Sequence, residues 1–381
     1  MSRFKFLIAC TLLCCMAFNS LSSQQTVLDT LLHNNVPRNY RLYIPKGYNG
    51  TSPLPVVFNL HGFGSNAQEQ QLYAQMDPVA DTANFFVCYP NGVDNAWNVG
   101  WFFGSQADDV DFISTLLDRL VDQYNVDTTK VYACGMSNGG FMSYRLACEL
   151  NDRMAAVASV TGSMVPVYAP TCTPGRPVPV MEIHGTADPV VPYNGQLGIS
   201  LPVDTVVRFW VNQNGCNPAP TAIAVPDLDP TDGCTATRFD YNGCDQNVSV
   251  ALYKITGGGH TWPGAPVSIG VTCQDFDASV EIWRFFNRYR LPLSTPVKPL
   301  PIADQVAFFP NPAADVLHLR LPDGYSRAEY AVYNNVGVVC AQGTLTGTQP
   351  TISVQALPAG AYFLRLTAAT GEVVTRFLKS R

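Results

Sequence analysis

Residues 131–148 place the tightest constraint on what this chain can fold into. Val131-Tyr132-Ala133-Cys134 is a β-rich run, Gly135-Met136-Ser137-Asn138-Gly139-Gly140 follows at once, and Phe141, Tyr144, Leu146 and Cys148 then mark a helical stretch. A strand feeding straight into a helix leaves room for one sharp turn, and the small residues around Ser137 allow a strained turn to lift its hydroxyl clear of a sheet.

The same alternation runs through most of the chain. Pro55 to Leu60, Phe85 to Tyr89, Val178 to Ile183 and Val248 to Ile255 read as further strands, several of them apolar on both faces. Val110, Ile113, Leu116, Leu117, Leu120 and Val121 recur at helical spacing. The pattern predicts an α/β fold with a mostly parallel sheet and helices on both faces. Its ligand site should lie at the carboxyl ends of the strands.

The helical pattern from Val280 to Tyr289 runs into Pro292, Pro296, Pro299 and Pro301, which stop a helix and read as a linker. The expected divisions are an export signal over 1–23, the α/β domain over 24–290, a Pro-rich linker over 291–303 and a small domain over 304–381. Charge changes across the linker: residues 24–295 hold 14 basic and 24 acidic side chains, residues 296–381 hold 7 and 5. A net charge of -6 without a basic run argues against a nucleic-acid partner.

At the N-terminus, Arg3 and Lys5 precede an apolar stretch of 13 residues, Phe6 to Phe18, interrupted only by Thr11, and then Ser20, Leu21, Ser22 and Ser23. That is the layout of a secretory signal, and the apolar run is too short to span a bilayer, which needs about 20 residues. No other segment reads as transmembrane. Nine cysteines remain beyond the signal, none in a C-x-x-C pair, which suits disulfides in an oxidising compartment. Spacing does not fix their connectivity; the expected pairs are Cys148 with Cys172 and Cys216 with Cys244, and an odd count leaves at least one thiol over.

A serine hydroxyl needs an adjacent base, itself oriented by a carboxylate. Five histidines are available. His33 precedes the sheet, His318 lies beyond the linker, His61 lies far upstream, and His184 closes a strand too early for the order serine, acid, histidine. His260 remains, in a Gly-rich loop after the strand ending at Ile255. The expected acid is Asp188, just after the strand ending at Ile183. Asp227, Asp229, Asp232, Asp240 and Asp245 fall in a Pro- and Gly-rich insertion that reads as a solvated loop. Their spacing, with Pro230 inside it, misses a calcium loop, and no metal or cofactor is expected. The oxyanion donors should be the backbone N–H groups of Asn138 and Phe63.

His61-Gly62-Phe63-Gly64-Ser65-Asn66, Gly135 to Gly140, His184-Gly185-Thr186-Ala187-Asp188-Pro189-Val190-Val191-Pro192-Tyr193 and Gly259-His260-Thr261-Trp262-Pro263-Gly264 together resemble the extracellular polyhydroxybutyrate depolymerase and feruloyl esterase family over residues 36–290. The resemblance implies an α/β-hydrolase fold and a secreted serine carboxylic-ester hydrolase working through an acyl-enzyme. It also implies that Ser137, Asp188 and His260 carry the triad. The substrate would be a feruloyl or acetyl ester of plant polysaccharide, or polyhydroxybutyrate. Trp262, beside the base, and Trp97, with Trp101, Phe102 and Phe103, are candidates to line the acyl or aryl pocket. The runner-up activity is that of a serine peptidase of the same fold; a non-catalytic binding protein is disfavoured, since all three triad members are present.

Phe309-Pro310-Asn311-Pro312-Ala313, the alternating Val316 to Leu319, Leu357 to Leu364 and Arg376 to Lys379 resemble the C-terminal sorting domain of type IX secretion. Alternation and Gly turns predict a small antiparallel β-sandwich there. The implied partner is the type IX machinery and the implied location is the cell surface or medium, reached through the periplasm. A carbohydrate-binding module is the rival, and the lack of tryptophan in residues 304–381 counts against it.

Overall fold

The computed structural model describes residues 25–292, 307–320, 327–335, 337–347, 350–368 and 371–380. The expected export signal and all but the first two residues of the expected linker lie outside them. The chain divides into two compact units, Met1–Pro292 and Leu293–Arg381.

The first unit is built on a ten-stranded sheet. Its strands are β1 (Gln25–His33), β2 (Val36–Ile44), β3 (Leu54–Leu60), β4 (Phe86–Pro90), β5 (Val126–Met136), β6 (Ala156–Val160), β7 (Val180–Gly185), β8 (Thr221–Ala224), β9 (Thr235–Tyr241) and β10 (Val250–Thr256), in the order β1-β2-β4-β3-β5-β6-β7-β10-β9-β8. The six central strands run parallel, and an antiparallel pair closes each edge. The helices are α1 (Ala67–Ala74), α2 (Met76–Ala83), α3 (Asp109–Gln123), α4 (Asn138–Glu149), α5 (Val203–Gln213) and α6 (Ala278–Phe286).

Side chains of a strand alternate between faces, and β3 shows what that does here. Val56, Phe58 and Leu60 pack with Phe112, Leu116, Phe141 and Trp210 of α3, α4 and α5, whereas Val57 packs with Met76, Ala80, Ile282 and Phe286 of α2 and α6. Both faces are covered, as the apolar runs predict. No helix among the described residues is long and apolar enough to cross a membrane.

Both expected disulfides are formed, Cys148–Cys172 and Cys216–Cys244. The insertion expected to be a solvated loop is one only in part: Asp227, Asp229 and Asp232 lie in the loop between β8 and β9 and Asp245 lies beyond β9, but the flanks pair as strands. Residues 221–241 form the β8–β9 hairpin, and Asp240 sits on β9, with its Oδ1 accepting from Arg238 Nε at 2.8 Å. The alternating Thr235-Ala236-Thr237-Arg238-Phe239 pairs with β10 and extends the sheet. All four residues of β8 are exposed.

One buried ion pair fastens the edge hairpin to α3. Arg38 of β2 donates from Nη2 to Asp109 Oδ1 at 2.5 Å, and Asp109 Oδ2 accepts the backbone N–H of Asn98 at 2.7 Å. Both side chains are buried. Removing one partner strands the other charge, so Arg38→Ala should cost about 3–5 kcal/mol of stability. Urea unfolding of the variant checks this.

The second unit is a β-sandwich of two antiparallel sheets. β11 (Ala307–Phe309), β12 (Val316–Arg320) and β15 (Thr351–Ser353) form one; β14 (Val339–Thr346), β13 (Arg327–Tyr333), β16 (Gly360–Ala368) and β17 (Gly371–Lys379) form the other. Leu317, Leu319 and Ile352 meet Val332, Leu364, Leu366 and Phe377 between them.

Candidate active site

Ser137 is the turn residue between β5 and α4, with φ 55° and ψ −120°. A side chain rarely adopts that conformation, so the surroundings must hold it there. They do so through close packing at the two motif glycines. A Cβ on Gly139 would come within 2.1 Å of the Leu60 carbonyl oxygen, and one on Gly135 within 2.6 Å of the same atom. Strand end, turn and helix start are pressed together, and Ser137 is pushed outward into a cavity.

The other two expected residues meet beside that cavity. Asp188 lies three residues after β7, and its Oδ1 accepts the N–H groups of Val190 and Val191 at 2.8 and 2.9 Å. Its Oδ2 faces Nδ1 of His260 at 2.7 Å. The Asp188 carboxylate is fully buried and His260 keeps 15% of its side chain exposed. Nδ1 donates to the carboxylate, which leaves Nε2 as the acceptor. His260 reaches this position on the Gly257-Gly258-Gly259 loop after β10, where Gly259 N–H donates to the Val271 carbonyl at 2.9 Å.

Phe63, in the loop after β3, lines the cavity with Ser137, and Asn138 follows the serine at the first position of α4. Among the described residues neither backbone N–H donates to a protein acceptor. His61 braces the first of these loops. Its Nδ1 meets the Gly62 carbonyl at 2.8 Å, its Nε2 accepts Gly92 N–H at 3.0 Å, and its own carbonyl accepts Trp97 Nε1 at 2.9 Å. Burial lowers the His61 pKa to about 4. An unfolded imidazole titrates near 6.5. The unfolded chain therefore binds the extra proton first, and the stability His61 contributes is complete above about pH 6.5 and is lost as pH falls towards 4, by about 3 kcal/mol. Denaturant midpoints across that range should fall with acid, with a shallower slope in His61→Gln.

Ser137 and His260 line one cavity of about 610 Å³, walled by Phe63, Leu72, Tyr73, Met136, Val190, Pro266, Val267 and Ile269, with Ser65, Glu69 and Gln70 among its polar neighbours. The expected tryptophans are elsewhere. Trp97 is buried under the loop after β3, exchanging hydrogen bonds with Asn138, and Trp262 is buried behind His260, where its backbone N–H donates to Tyr73 Oη at 3.3 Å. They support the walls and do not line them. The aliphatic wall of residues 266–269 had no periodic signal, because it is loop.

A buried pair missed in the sequence lies directly beneath Asp188. Glu182 and His184 point to one side of β7, Glu182 Oε1 meets His184 Nδ1 at 2.8 Å, and Tyr144 Oη of α4 donates to Glu182 Oε2 at 2.7 Å. A glutamate inside the apolar run Val180 to Ile183 was the available signal. Elsewhere, Asp232, Cys234 and Cys273 are the one group among the described residues whose ligand atoms lie close enough to hold an ion, within 4.8 Å of one another. Asp232 is already committed, accepting N–H from Cys234 and Gln274 at 2.9 and 2.7 Å. Burial pushes the Cys273 thiol up to about 11 and the Cys234 thiol higher, which disfavours the thiolates a metal needs.

Residues 38–196 match the family described as Esterase PHB depolymerase, and residues 307–380 match the secretion system C-terminal sorting domain. Feruloyl esterase C of Emericella nidulans is 32% identical over 256 residues, covering 65% of this chain and 83% of that protein. Feruloyl esterase D of Neurospora crassa is 29% identical, over 71% of this chain and 88% of that one. Among solved structures, an acetyl xylan esterase from Aspergillus awamori is similar with a TM-score of 0.49 at 15% identity, over 68% of this chain and 99% of that one. With feruloyl esterase C of Emericella nidulans 32% identical and covered over 83% of its length, the chain belongs to the polyhydroxybutyrate depolymerase esterase family and is an exported carboxylic ester hydrolase of the α/β-hydrolase fold.

Proposed function

We propose that Ser137 is the acylated nucleophile, His260 the general base and Asp188 the residue that orients it, and that the acyl group is a hydroxycinnamoyl such as ferulate, released from plant polysaccharide. In this reading Ser137 Oγ attacks the ester carbonyl and passes its proton to His260 Nε2. The N–H groups of Phe63 and Asn138 hold the oxyanion, and the protonated imidazole then gives its proton to the departing sugar alcohol. Water repeats the sequence on the acyl-enzyme, and the acid leaves.

The observation that supports the acyl choice is the cavity. Its 610 Å³ and its largely apolar wall, which includes Leu72 and Ile269, suit an aryl group, with Ser65 and Glu69 as partners for a phenol hydroxyl. An acetyl group would fill little of it. kcat/KM for a methyl hydroxycinnamate should exceed that for an acetylated xylan fragment and for a hydroxybutyrate oligomer by about 10-fold or more, the worth of burying a ring against the apolar wall. A preference for acetyl or hydroxybutyrate would overturn the acyl assignment, and turnover of amides would revive the peptidase reading.

A further inference from the structure

The Glu182–His184 pair stands in tandem with the Asp188–His260 pair, and the two share an oxygen. His184 Nε2 lies 2.8 Å from the Val191 carbonyl and 3.5 Å from Asp188 Oδ2, the same oxygen that accepts from His260. A carbonyl can only accept, so Nε2 must carry a proton. One further proton is shared between Nδ1 and Glu182, whichever of the two holds it. All of these atoms are buried. Other groups facing the ring are Tyr144 through Glu182, Tyr193 at 5.9 Å between ring centres, and Lys254 of β10, whose Nζ lies 4.9 Å over Tyr193.

Resting on the triad reading above, we propose that His184 is a positioning residue of the ester hydrolase: its Nε2–H pins the Asp188–Val191 turn and keeps Asp188 Oδ2 a weak base. The chain of contacts runs from Tyr144 on α4, the helix that starts beside Ser137, through Glu182 and His184 to Asp188 and His260. It ties the nucleophile's helix to the acid's turn. Burial alone would discharge His184, but the hydrogen bond and charge of Glu182, with Val191 and Asp188, outweigh it and raise its pKa.

The test compares His184→Leu, His184→Gln and Glu182→Gln with His260→Ala in the full chain. Leucine removes the donor, so kcat should fall about 10- to 100-fold, the usual cost of a catalytic group displaced by a fraction of an ångström to an ångström. KM should stay within about twofold, because His184 does not line the cavity. Without the His184 ring 3.5 Å from its Oδ2, Asp188 holds the His260 proton more tightly, and the acid limb of kcat/KM should move to higher pH. Glu182→Gln, whose amide can donate to Nδ1 and preserve Nε2–H, should lose only a few-fold, and His184→Gln should recover part of the activity. If His184→Leu unfolds, the comparison of His184→Gln with Glu182→Gln carries the test through the same pH limb. Unchanged kcat and acid limb in folded His184 variants would overturn the proposal while leaving the triad intact. Retained activity in His260→Ala would instead sink the triad reading.

A different observation carries a second inference. Cys234 immediately precedes β9 and Cys273 lies in the loop that bears His260 and the cavity wall, and the two buried sulfurs lie within 4.8 Å of each other. We infer that they join as a third disulfide during export, each thiol losing a proton and an electron to an oxidised thiol–disulfide exchange protein, whose own disulfide becomes two thiols. The bond would staple the wall of residues 266–269 to the sheet. Free thiols in the full exported chain are blocked with iodoacetamide in denaturant, before any reduction, and the peptides are weighed. A cross-linked peptide holding Cys234 and Cys273 is expected. Both cysteines alkylated without reduction, or one zinc ion retained per chain, would overturn it.

Discussion

Ser137→Ala should lower kcat by about four to six orders of magnitude and leave the fold unchanged. The size follows from the mechanism: a triad acts as one unit, so removing its nucleophile costs nearly as much as removing all three members, and what remains is due to oxyanion donors and substrate binding. The fold should survive because the hydroxyl projects into a cavity and alanine carries the same Cβ, so the backbone at φ 55° is strained equally in both. A fluorophosphonate probe should label Ser137 alone in the parent chain and nothing in the variant. Labelling of another serine, or a fall of less than about 100-fold, would remove Ser137 from the mechanism.

The second large effect concerns the tail. A chain ending at Pro292 should keep its esterase activity and lose its export to the surface or medium, accumulating in the periplasm of a host with type IX secretion. The residues lining the cavity, with Asp188, lie between Gly62 and Ile269, within the first compact unit, whereas the match to the sorting domain covers residues 307–380. Fractionated cells assayed for ester hydrolysis decide the matter. Normal export of the shortened chain, with weaker binding to insoluble polymer, would favour the carbohydrate-binding alternative.

The central sheet was legible because its strands are apolar on both faces, and the site because strand–turn–helix chemistry demands small residues at fixed places. Gly135 and Gly139 could be read as close-approach positions from the motif, and the structure puts the Leu60 carbonyl where their Cβ atoms would go. Elimination among five histidines left His260, position after a strand end picked Asp188, and the structure places the two 2.7 Å apart. Less was legible where the signal is weak or non-local. β6 is Ala-Val-Ala-Ser-Val, with too little bulk to stand out as a strand. The β1–β2 hairpin turns on Asn34 and Asn35, both at positive φ, a two-residue turn the sequence does advertise and the strand reading passed over. Trp262 was placed by its proximity to the base in sequence and Trp97 by the aromatic run it heads, yet burial decided the matter: large rings near a site more often hold its walls from behind. The cavity wall at 266–269 depends on contacts across the fold, which no local pattern encodes, whereas Glu182 inside an apolar run signalled a buried partner without naming it.

The hairpin strand β8 has one more consequence. It is the open margin of a ten-stranded sheet, four residues long with all its side chains in solvent, and Pro218 and Pro220 precede it while Pro226 follows. Proline has no N–H to offer a docking strand. A secreted enzyme crowded against copies of itself on a surface thus presents a margin too short and too poor in donors to be zipped to its neighbour. The three prolines act as chain terminators for the sheet and limit how far another strand could pair along that rim.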